Sequence, residues 1–186
     1  MFNSINNRFF RVYLGFITLF CSGLCSAEQH VVSEVKFGLL AYDVHIFSSS
    51  RKEEGVDVNG EILFNLPSYE FLGWIGNPRF HLGGSVNSEG DTDQGYFGLT
   101  WDYHFDIGVF VEGSFGGAVH DGKLNSYYDD RKSLGSRVLF RLSGSLGYQF
   151  DQHHSLAVIV DHISNAGLAS PNEGMDNVGV RYGFRF

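Results

Sequence analysis

Polar and apolar residues alternate with a period of two along most of the chain. The clearest segment runs from Arg137 to Phe150, where every second residue is apolar or glycine. The positions between them carry Arg141, serines, a glycine and a glutamine. Because successive side chains on a strand point to opposite faces, this pattern predicts a strand with one apolar and one polar face.

Seven further segments show the same alternation. They are residues 33–43, 56–66, 78–87, 94–105, 107–115, 153–164 and 177–186. The chain also contains 24 glycines, 18 phenylalanines and nine tyrosines, a composition that favours strands over helices. We therefore predict an all-β protein with eight strands.

The two faces of these strands differ in a way that separates a membrane barrel from a soluble one. The polar face carries charged residues at mid-strand: Arg79, Asp102, Glu112, Arg141, Asp161, Arg181 and Arg185. The apolar face is broad and aromatic, as lipid-facing surfaces are. This predicts an eight-stranded antiparallel transmembrane β-barrel with a charge-paired interior. The alternative is a soluble lipocalin-like barrel or a β-sandwich, whose apolar face would point inward.

The N-terminal residues have the pattern of a secretion signal. Arg8 and Arg11 precede the apolar run 12–20, and small residues around Ala27 offer a cleavage site before Glu28. The apolar run is shorter than the ~20 residues of a membrane-spanning helix, although a retained N-terminal anchor is an alternative. We predict a signal peptide at residues 1–27 and the barrel at residues 28–186. Both cysteines, Cys21 and Cys25, lie in the signal, so the mature chain has no thiol chemistry.

The C-terminal segment, which alternates up to Phe186, resembles the terminal strand by which outer-membrane barrels are recognised for assembly. This predicts an outer-membrane location and the barrel assembly machinery as a partner. With the N-terminus in the periplasm, residues 44–55, 88–92, 117–136 and 165–176 are expected to form outer loops, and tight turns are expected near 104–106 and 150–153. The stretch 67–77 is long for a periplasmic turn and has no explanation in the sequence.

Charge and motifs exclude several functions. The chain has 13 basic and 21 acidic residues, and two of the basic ones leave with the signal, so no nucleic-acid footprint is present. The eight histidines show no metal-ligand spacing, so we expect no metal and no cofactor.

A candidate ester-hydrolysing site lies at the outward end of the seventh strand. His162 and Ser164 are two residues apart, so they share one face with Cα atoms ~6.6 Å apart, and His162 can act as the general base of Ser164. Their parity places them on the lipid-facing side, level with the outer leaflet, where a polar pair is costly unless it is functional.

The remaining members of the site follow in the next hairpin. Asp176 shares the outward parity and is favoured over Glu173 as the acid that orients His162, although Asp is also common in turns. The backbone N–H groups of Asn165 and Gly167 are candidates for the oxyanion hole, although the same residues suit an ordinary strand-to-loop transition.

The stretch from His162 to Asp176 and the terminal strand resemble the PagL family of lipid A 3-O-deacylases. The matching residues are His-x-Ser-Asn-Ala-Gly-Leu, then Pro-Asn-x-Gly, an acid, and a strand ending in Phe. The resemblance implies an outer-membrane esterase that removes the 3-hydroxyacyl chain at position 3 of lipid A. It assigns Ser164 as nucleophile, His162 as base, Asp176 as acid, and Asn165 and Gly167 as the oxyanion group. The family's acid is commonly Glu, whereas Asp176 is one methylene shorter.

Two other functions remain open on the residues alone: a non-enzymatic adhesin or structural barrel, and an outer-membrane phospholipase. Arg51, Lys52 and Lys132 are candidate contacts for the phosphates of lipopolysaccharide. The sequence leaves the oligomeric state open between a monomer and a homodimer.

Overall fold

The computed structural model describes residues 31–186, except Ser49, Ser68 and Tyr128. The predicted signal peptide, residues 1–27, lies outside the described residues. In the described range, eight strands close into one antiparallel barrel in which each strand pairs with its neighbours in sequence and β1 pairs with β8. The strands are β1 (Val32–Ala41), β2 (Val56–Phe64), β3 (Arg79–Asn87), β4 (Gln94–His104), β5 (Val109–His120), β6 (Val138–Gln149), β7 (His154–Ser164) and β8 (Met175–Arg185). The predicted fold class is confirmed.

The barrel has two different ends. One end, the loop end, carries loop 1 (42–55), loop 2 (88–93), loop 3 (121–137) and loop 4 (165–174). The other, the turn end, carries the short connections 105–108 and 150–153 and the longer segment 65–78. Strands of 9 to 12 residues are of the length that crosses a bilayer in a tilted barrel.

Most strand ends lie within two residues of the predicted ones. Two of the differences, on β5 and β8, extend a strand at the loop end. β5 continues to His120, where the sequence predicts a loop from residue 117, because Gly117 and Ala118 pair with β4 and β6 although they carry almost no hydrophobic signal. β8 begins at Met175, where the sequence predicts a strand from residue 177. The second difference brings Asp176 into the sheet.

Side-chain exposure follows the predicted parity. On β7, Leu156 and Val158 are exposed, whereas Ser155, Ile159 and Asp161 are buried inside the barrel. Outward aromatic pairs lie at the turn end: Tyr103–Phe105, Tyr148–Phe150 and Phe184–Phe186, with ring centroids 5.0, 5.6 and 5.3 Å apart. All of these rings are exposed except that of Phe184, which is half-exposed. An exposed apolar surface with an aromatic band is suited to hydrocarbon and its interface with water.

Buried ion pairs fill the middle of the barrel. Arg181 lies 3.0 Å from Glu61 and 2.9 Å from Glu112, and all three side chains are almost fully buried. Lys36 also pairs with Glu112. Arg141 pairs with Asp161 at 2.7 Å and stacks its guanidinium over the ring of Tyr96. Buried charges persist only when they are paired, so this network makes the polar interior of the barrel stable.

A single short helix, α1 (Glu70–Trp74), lies in the segment 65–78 that the sequence left unexplained. Within the described residues, no helix is long and apolar enough to cross a membrane.

Replacing Arg181 with Met is expected to lower the free energy of unfolding by about 3–5 kcal/mol, because Glu61 and Glu112 lose a shared cation while staying buried. Urea unfolding of the barrel in lipid vesicles measures the change. Arg185→Met is the control, because the Arg185 side chain is 32% exposed at the rim and rim pairs contribute at most about 1 kcal/mol. Equal losses in the two variants would show that the interior ion pairs contribute no more to the free energy of unfolding than those at the rim.

Candidate active site

The pairing of β7 with β8 positions the candidate site. His162 lies directly opposite Asp176 in the register, on the outward face and near the loop end. Directly opposed residues have Cβ atoms ~4.5–5.5 Å apart, which is within reach of even a short carboxylate. Ser164 follows on the same face of β7, two residues after His162.

The three side chains form a continuous hydrogen-bonded chain. His162 Nδ1 lies 2.6 Å from Asp176 Oδ1, and His162 Nε2 lies 3.1 Å from Ser164 Oγ. Since an ionised carboxylate can only accept, Nδ1 carries the proton and Nε2 is left to accept the hydroxyl proton of Ser164. The imidazole is therefore in the tautomer that a general base requires.

Loop 1 encloses the far side of Asp176. Asp176 Oδ2 accepts the backbone N–H groups of Ile46, Phe47 and Ser48 at 3.0, 2.6 and 2.6 Å. Asp176 is completely buried as a result, although it lies on the outward face of the sheet. Three N–H donors stabilise the ionised carboxylate and fix its orientation.

The other side chains around His162 restrict its ring. The ring of Phe47 meets the imidazole edge-on, with centroids 5.9 Å apart. Gly174, which has a φ of +63°, passes so close that an added Cβ would lie 3.2 Å from His162 Cε1. A side chain at this position would be strained and would crowd the imidazole, which explains the glycine.

Ion pairs tie loops 1, 3 and 4 together above the site. The fully buried ammonium of Lys132 in loop 3 lies 3.0 Å from Asp43 and also contacts the carbonyl of Ser50, both in loop 1. Glu173 of loop 4 bonds Lys52 of loop 1 and the N–H of Ser133, both at 2.6 Å. These contacts hold loop 1, and with it the donors to Asp176, in place.

The same contacts explain the charge state of Glu173. Partial burial alone would raise its pKa, but the hydrogen bonds from Lys52 and Ser133 outweigh burial and hold the pKa below its usual value. Glu173 is thus an ionised loop anchor, and its carboxylate bonds Lys52 and Ser133 instead of His162.

Asn165 and Gly167 lie directly after Ser164, but their N–H groups already have acceptors. The N–H of Asn165 donates to Asn172 Oδ1 at 3.0 Å, and that of Gly167 donates to Asn165 Oδ1 at 2.9 Å. The Asn165 side chain also donates to the carbonyls of Leu134 and Pro171 and is buried. A substrate oxyanion would therefore have to displace one of these neutral acceptors.

The three predicted phosphate contacts, Arg51, Lys52 and Lys132, differ in how accessible their side chains are. Lys132 cannot reach a phosphate, because its side chain is fully buried against Asp43. Lys52 is engaged by Glu173, whereas Arg51 is exposed.

Sequence reasoning missed three features of the site. They are the N–H donors of loop 1 to Asp176, the ring contact of Phe47 with His162, and the bond from the Asn165 N–H to Asn172. Ile46 lies 130 residues from Asp176 along the chain, and a backbone N–H donor has no residue signature. No local pattern could have identified these contacts.

Next to the site, the outward wall is apolar. Across the β6–β7 pair, Phe140 faces Ser164 and Leu142 faces His162, and both apolar side chains are exposed. Phe140 stacks on Phe115 of β5, with centroids 6.2 Å apart. The hydroxyl of Ser164 thus borders a surface on which hydrocarbon chains can lie.

Comparison with known proteins identifies relatives of this barrel. A family model described as lipid A 3-O-deacylase (PagL) matches residues 58–185. Among solved structures, the outer-membrane enzyme PagL is 20% identical, with a TM-score of 0.63 over 83% of this chain and 100% of the other. A de novo designed transmembrane β-barrel is 11% identical, with a TM-score of 0.50 over 87% of this chain and 100% of the design. The search of curated proteins found no match.

The family match covers more than half of the protein and includes Ser164, His162 and Asp176. It confirms the predicted family. Of the three functions left open by the residues alone, it supports the deacylase over the adhesin and the phospholipase.

If Asp176 holds loop 1, Asp176→Ala should leave three N–H groups without their acceptor. Hydrogen exchange measured by mass spectrometry should then be at least about tenfold faster in peptides covering residues 42–55, with the strands unchanged. Ser164→Ala is the matched control, since it removes the other partner of His162 without touching loop 1. Unchanged exchange in Asp176→Ala would show that the ion pairs alone hold the loop.

Proposed function

The chain belongs to the PagL family of lipid A 3-O-deacylases, enzymes of the bacterial outer membrane, and we propose that Ser164, His162 and Asp176 carry out its ester hydrolysis. One observation carries the proposal: the unbroken hydrogen-bonded chain from Ser164 Oγ through His162 to Asp176 on the lipid-facing side of the barrel. A nucleophile, a base and an orienting acid in this order form the constellation that serine esterases use.

In the first step, Ser164 Oγ attacks the carbonyl carbon of the ester at position 3 of lipid A, and His162 Nε2 takes the hydroxyl proton. The tetrahedral intermediate collapses as the bond to the sugar oxygen breaks, and His162 returns its proton to that oxygen. A water molecule, deprotonated by His162, then attacks the acyl-enzyme. The 3-hydroxy fatty acid leaves, and Ser164 regains its proton.

Asp176 keeps the imidazole in the required tautomer and stabilises the imidazolium that forms in each step. The aspartate is sufficient, although it is shorter than the glutamate common in the family, because it lies directly opposite His162 in the register. The three N–H donors of loop 1 keep the carboxylate from rotating away from the ring.

Asn165 and Gly167 supply the oxyanion donors in this proposal. Asn172 Oδ1, the acceptor of the Asn165 N–H, is a neutral amide on an exposed side chain. An oxyanion forms hydrogen bonds roughly twice as strong as a neutral acceptor does. The developing negative charge can therefore displace Asn172 as the reaction proceeds.

The site would face the outer leaflet, where lipid A resides. Its acyl chains can lie on the wall formed by Phe115, Phe140 and Leu142, with the ester at the height of Ser164. Exposed Arg51 remains a candidate contact for a phosphate of the same molecule.

Two partner predictions complete the proposal. The alternation of β8, which continues to Phe186 directly after the strand, supports recognition by the barrel assembly machinery. A homodimer stays an open prediction for the oligomeric state.

Mass spectrometry of lipid A incubated with the folded barrel tests the triad. The wild-type protein should remove one ester-linked hydroxyacyl chain, and Ser164→Ala should lower the rate by at least about 10³-fold, because the nucleophile is lost. Asp176→Asn should be similarly impaired, whereas Glu173→Gln should retain most of the activity, since the Glu173 carboxylate bonds Lys52 and the Ser133 N–H instead of His162. Full activity in Ser164→Ala would refute the proposed nucleophile, and loss in Glu173→Gln alone would move the acid to that position.

A matched pair at position 172 tests the oxyanion donors. Asn172→Asp should lower kcat at least about tenfold, because a carboxylate holds the Asn165 N–H more strongly and repels the oxyanion. Asn172→Ala removes the competing acceptor and should leave kcat unchanged or raise it. If the two variants have the same kcat, the Asn165 N–H plays no part in the transition state.

A further inference from the structure

The segment between β2 and β3 exposes an unusual amount of aromatic surface. Its large exposed apolar side chains are Tyr69 (56%), Phe71 (61%), Trp74 (91%) and Ile75 (46%). Tyr69 and Phe71 stack on each other, with ring centroids 5.8 Å apart. A nearly fully exposed indole beside other apolar side chains is typical of a surface that meets a partner or a membrane.

The segment is held against the outside of the barrel. Trp101, on the outward face of β4, donates its indole N–H to the carbonyl of Ile75 at 2.6 Å. An added Cβ at Gly76 would lie 3.3 Å from the indole of Trp101, so the backbone of the segment runs directly along this side chain. The exposed side chains of α1 therefore adjoin the lipid-facing wall.

The position of the segment also continues the aromatic band at the turn end. Aromatic pairs with at least one exposed ring occupy this level on β4, β6 and β8, at Tyr103–Phe105, Tyr148–Phe150 and Phe184–Phe186. On β2 and β3, by contrast, Phe64 and Phe80 are only half-exposed and pack against each other. The aromatic side chains of α1 lie where this part of the band is thinnest.

We propose that α1 and its flanking residues form an interfacial anchor, whose side chains Tyr69, Phe71, Trp74 and Ile75 insert at the boundary between headgroups and acyl chains in the periplasmic leaflet. Tryptophan and tyrosine concentrate at this depth because their rings combine an apolar body with a polar group. A short amphipathic helix can lie in that plane with its apolar side chains buried in lipid. The occupant is phospholipid, because the segment is continuous with a surface that lipid already covers.

The anchor would fix the depth of the turn end in the periplasmic leaflet, which is the leaflet opposite Ser164. The inference depends on the membrane location of the barrel and not on the proposed triad. Failure of the catalytic tests would leave it untouched.

The two tryptophans of the chain provide a direct test. Trp101→Phe leaves Trp74 as the only tryptophan, and Trp74→Phe leaves Trp101 as the matched lipid-facing control. Each variant is placed in phosphatidylcholine nanodiscs, which leave both membrane faces open to the buffer. Its emission is then measured with iodide in the buffer and with lipids that carry a nitroxide in the headgroup, near the glycerol or at the chain end.

For Trp74, we expect iodide quenching several-fold weaker than in the urea-unfolded chain, and a blue-shifted emission maximum. Nitroxides in the headgroup or near the glycerol should quench it several-fold more than the chain-end nitroxide. Iodide quenching as strong as in the unfolded chain, without nitroxide quenching, would overturn the proposal and assign the surface to a periplasmic protein instead.

Heat-modifiable mobility on gels shows whether each variant has folded. If Trp101→Phe does not fold, because it loses the bond to Ile75, the difference between wild type and Trp74→Phe gives the signal of Trp74. Weak iodide quenching of this signal would then support the proposal, and iodide quenching as strong as in the unfolded chain would overturn it.

Discussion

Hydrocarbon offers the backbone no hydrogen-bonding partner, and this constraint shapes the whole molecule. A sheet that crosses a membrane has to close on itself, since an open edge would leave a row of unpaired N–H and C=O groups in lipid. Here the closure is the pairing of β1 with β8, which runs from Glu34–Arg185 to Ala41–Val178. Once the circle is complete, each strand has one face toward lipid and one toward a narrow interior.

The interior then has to accommodate whatever the inward positions carry. Arg141, Arg181, Glu61 and Glu112 are almost fully buried, and each has an oppositely charged partner inside the barrel. Removing one partner would leave a charge in a place that water hardly reaches, so each ion pair in the interior depends on both of its members. The network is also separate from the candidate site, because Ser164 and His162 lie on the other face.

The outward site obtains its polar environment from loops instead of from the barrel interior. Asp176 belongs to the lipid-facing parity, yet three N–H groups of loop 1 bury and hydrogen-bond it. Loop 1 is in turn held by Lys132 of loop 3 and, through Lys52, by Glu173 of loop 4. A charged group is thereby kept at the membrane surface without contact with lipid, and the imidazole beside it stays 22% exposed.

The sequence by itself determined the number of strands, their two faces and the face on which His162, Ser164 and Asp176 lie. Every strand shows polar–apolar alternation with a period of two, and the face of a residue follows from its position in that alternation without knowledge of the neighbouring strand. It also identified the family, because the residues from 162 to 176 lie close together in the chain. The contacts of the site that join distant parts of the chain, such as those between loop 1 and Asp176, could not be predicted from the sequence.

Only the tertiary structure decided that Asp176 pairs directly with His162, that loop 1 supplies donors to it, and that Lys132 is buried instead of free for phosphate. It also showed that the segment 65–78 lies on the outer wall against Trp101. These features join residues 14 to 130 positions apart through side-chain bonds, backbone groups and loop contacts. Such contacts leave no periodicity in the sequence, because their geometry exists only after the barrel has closed.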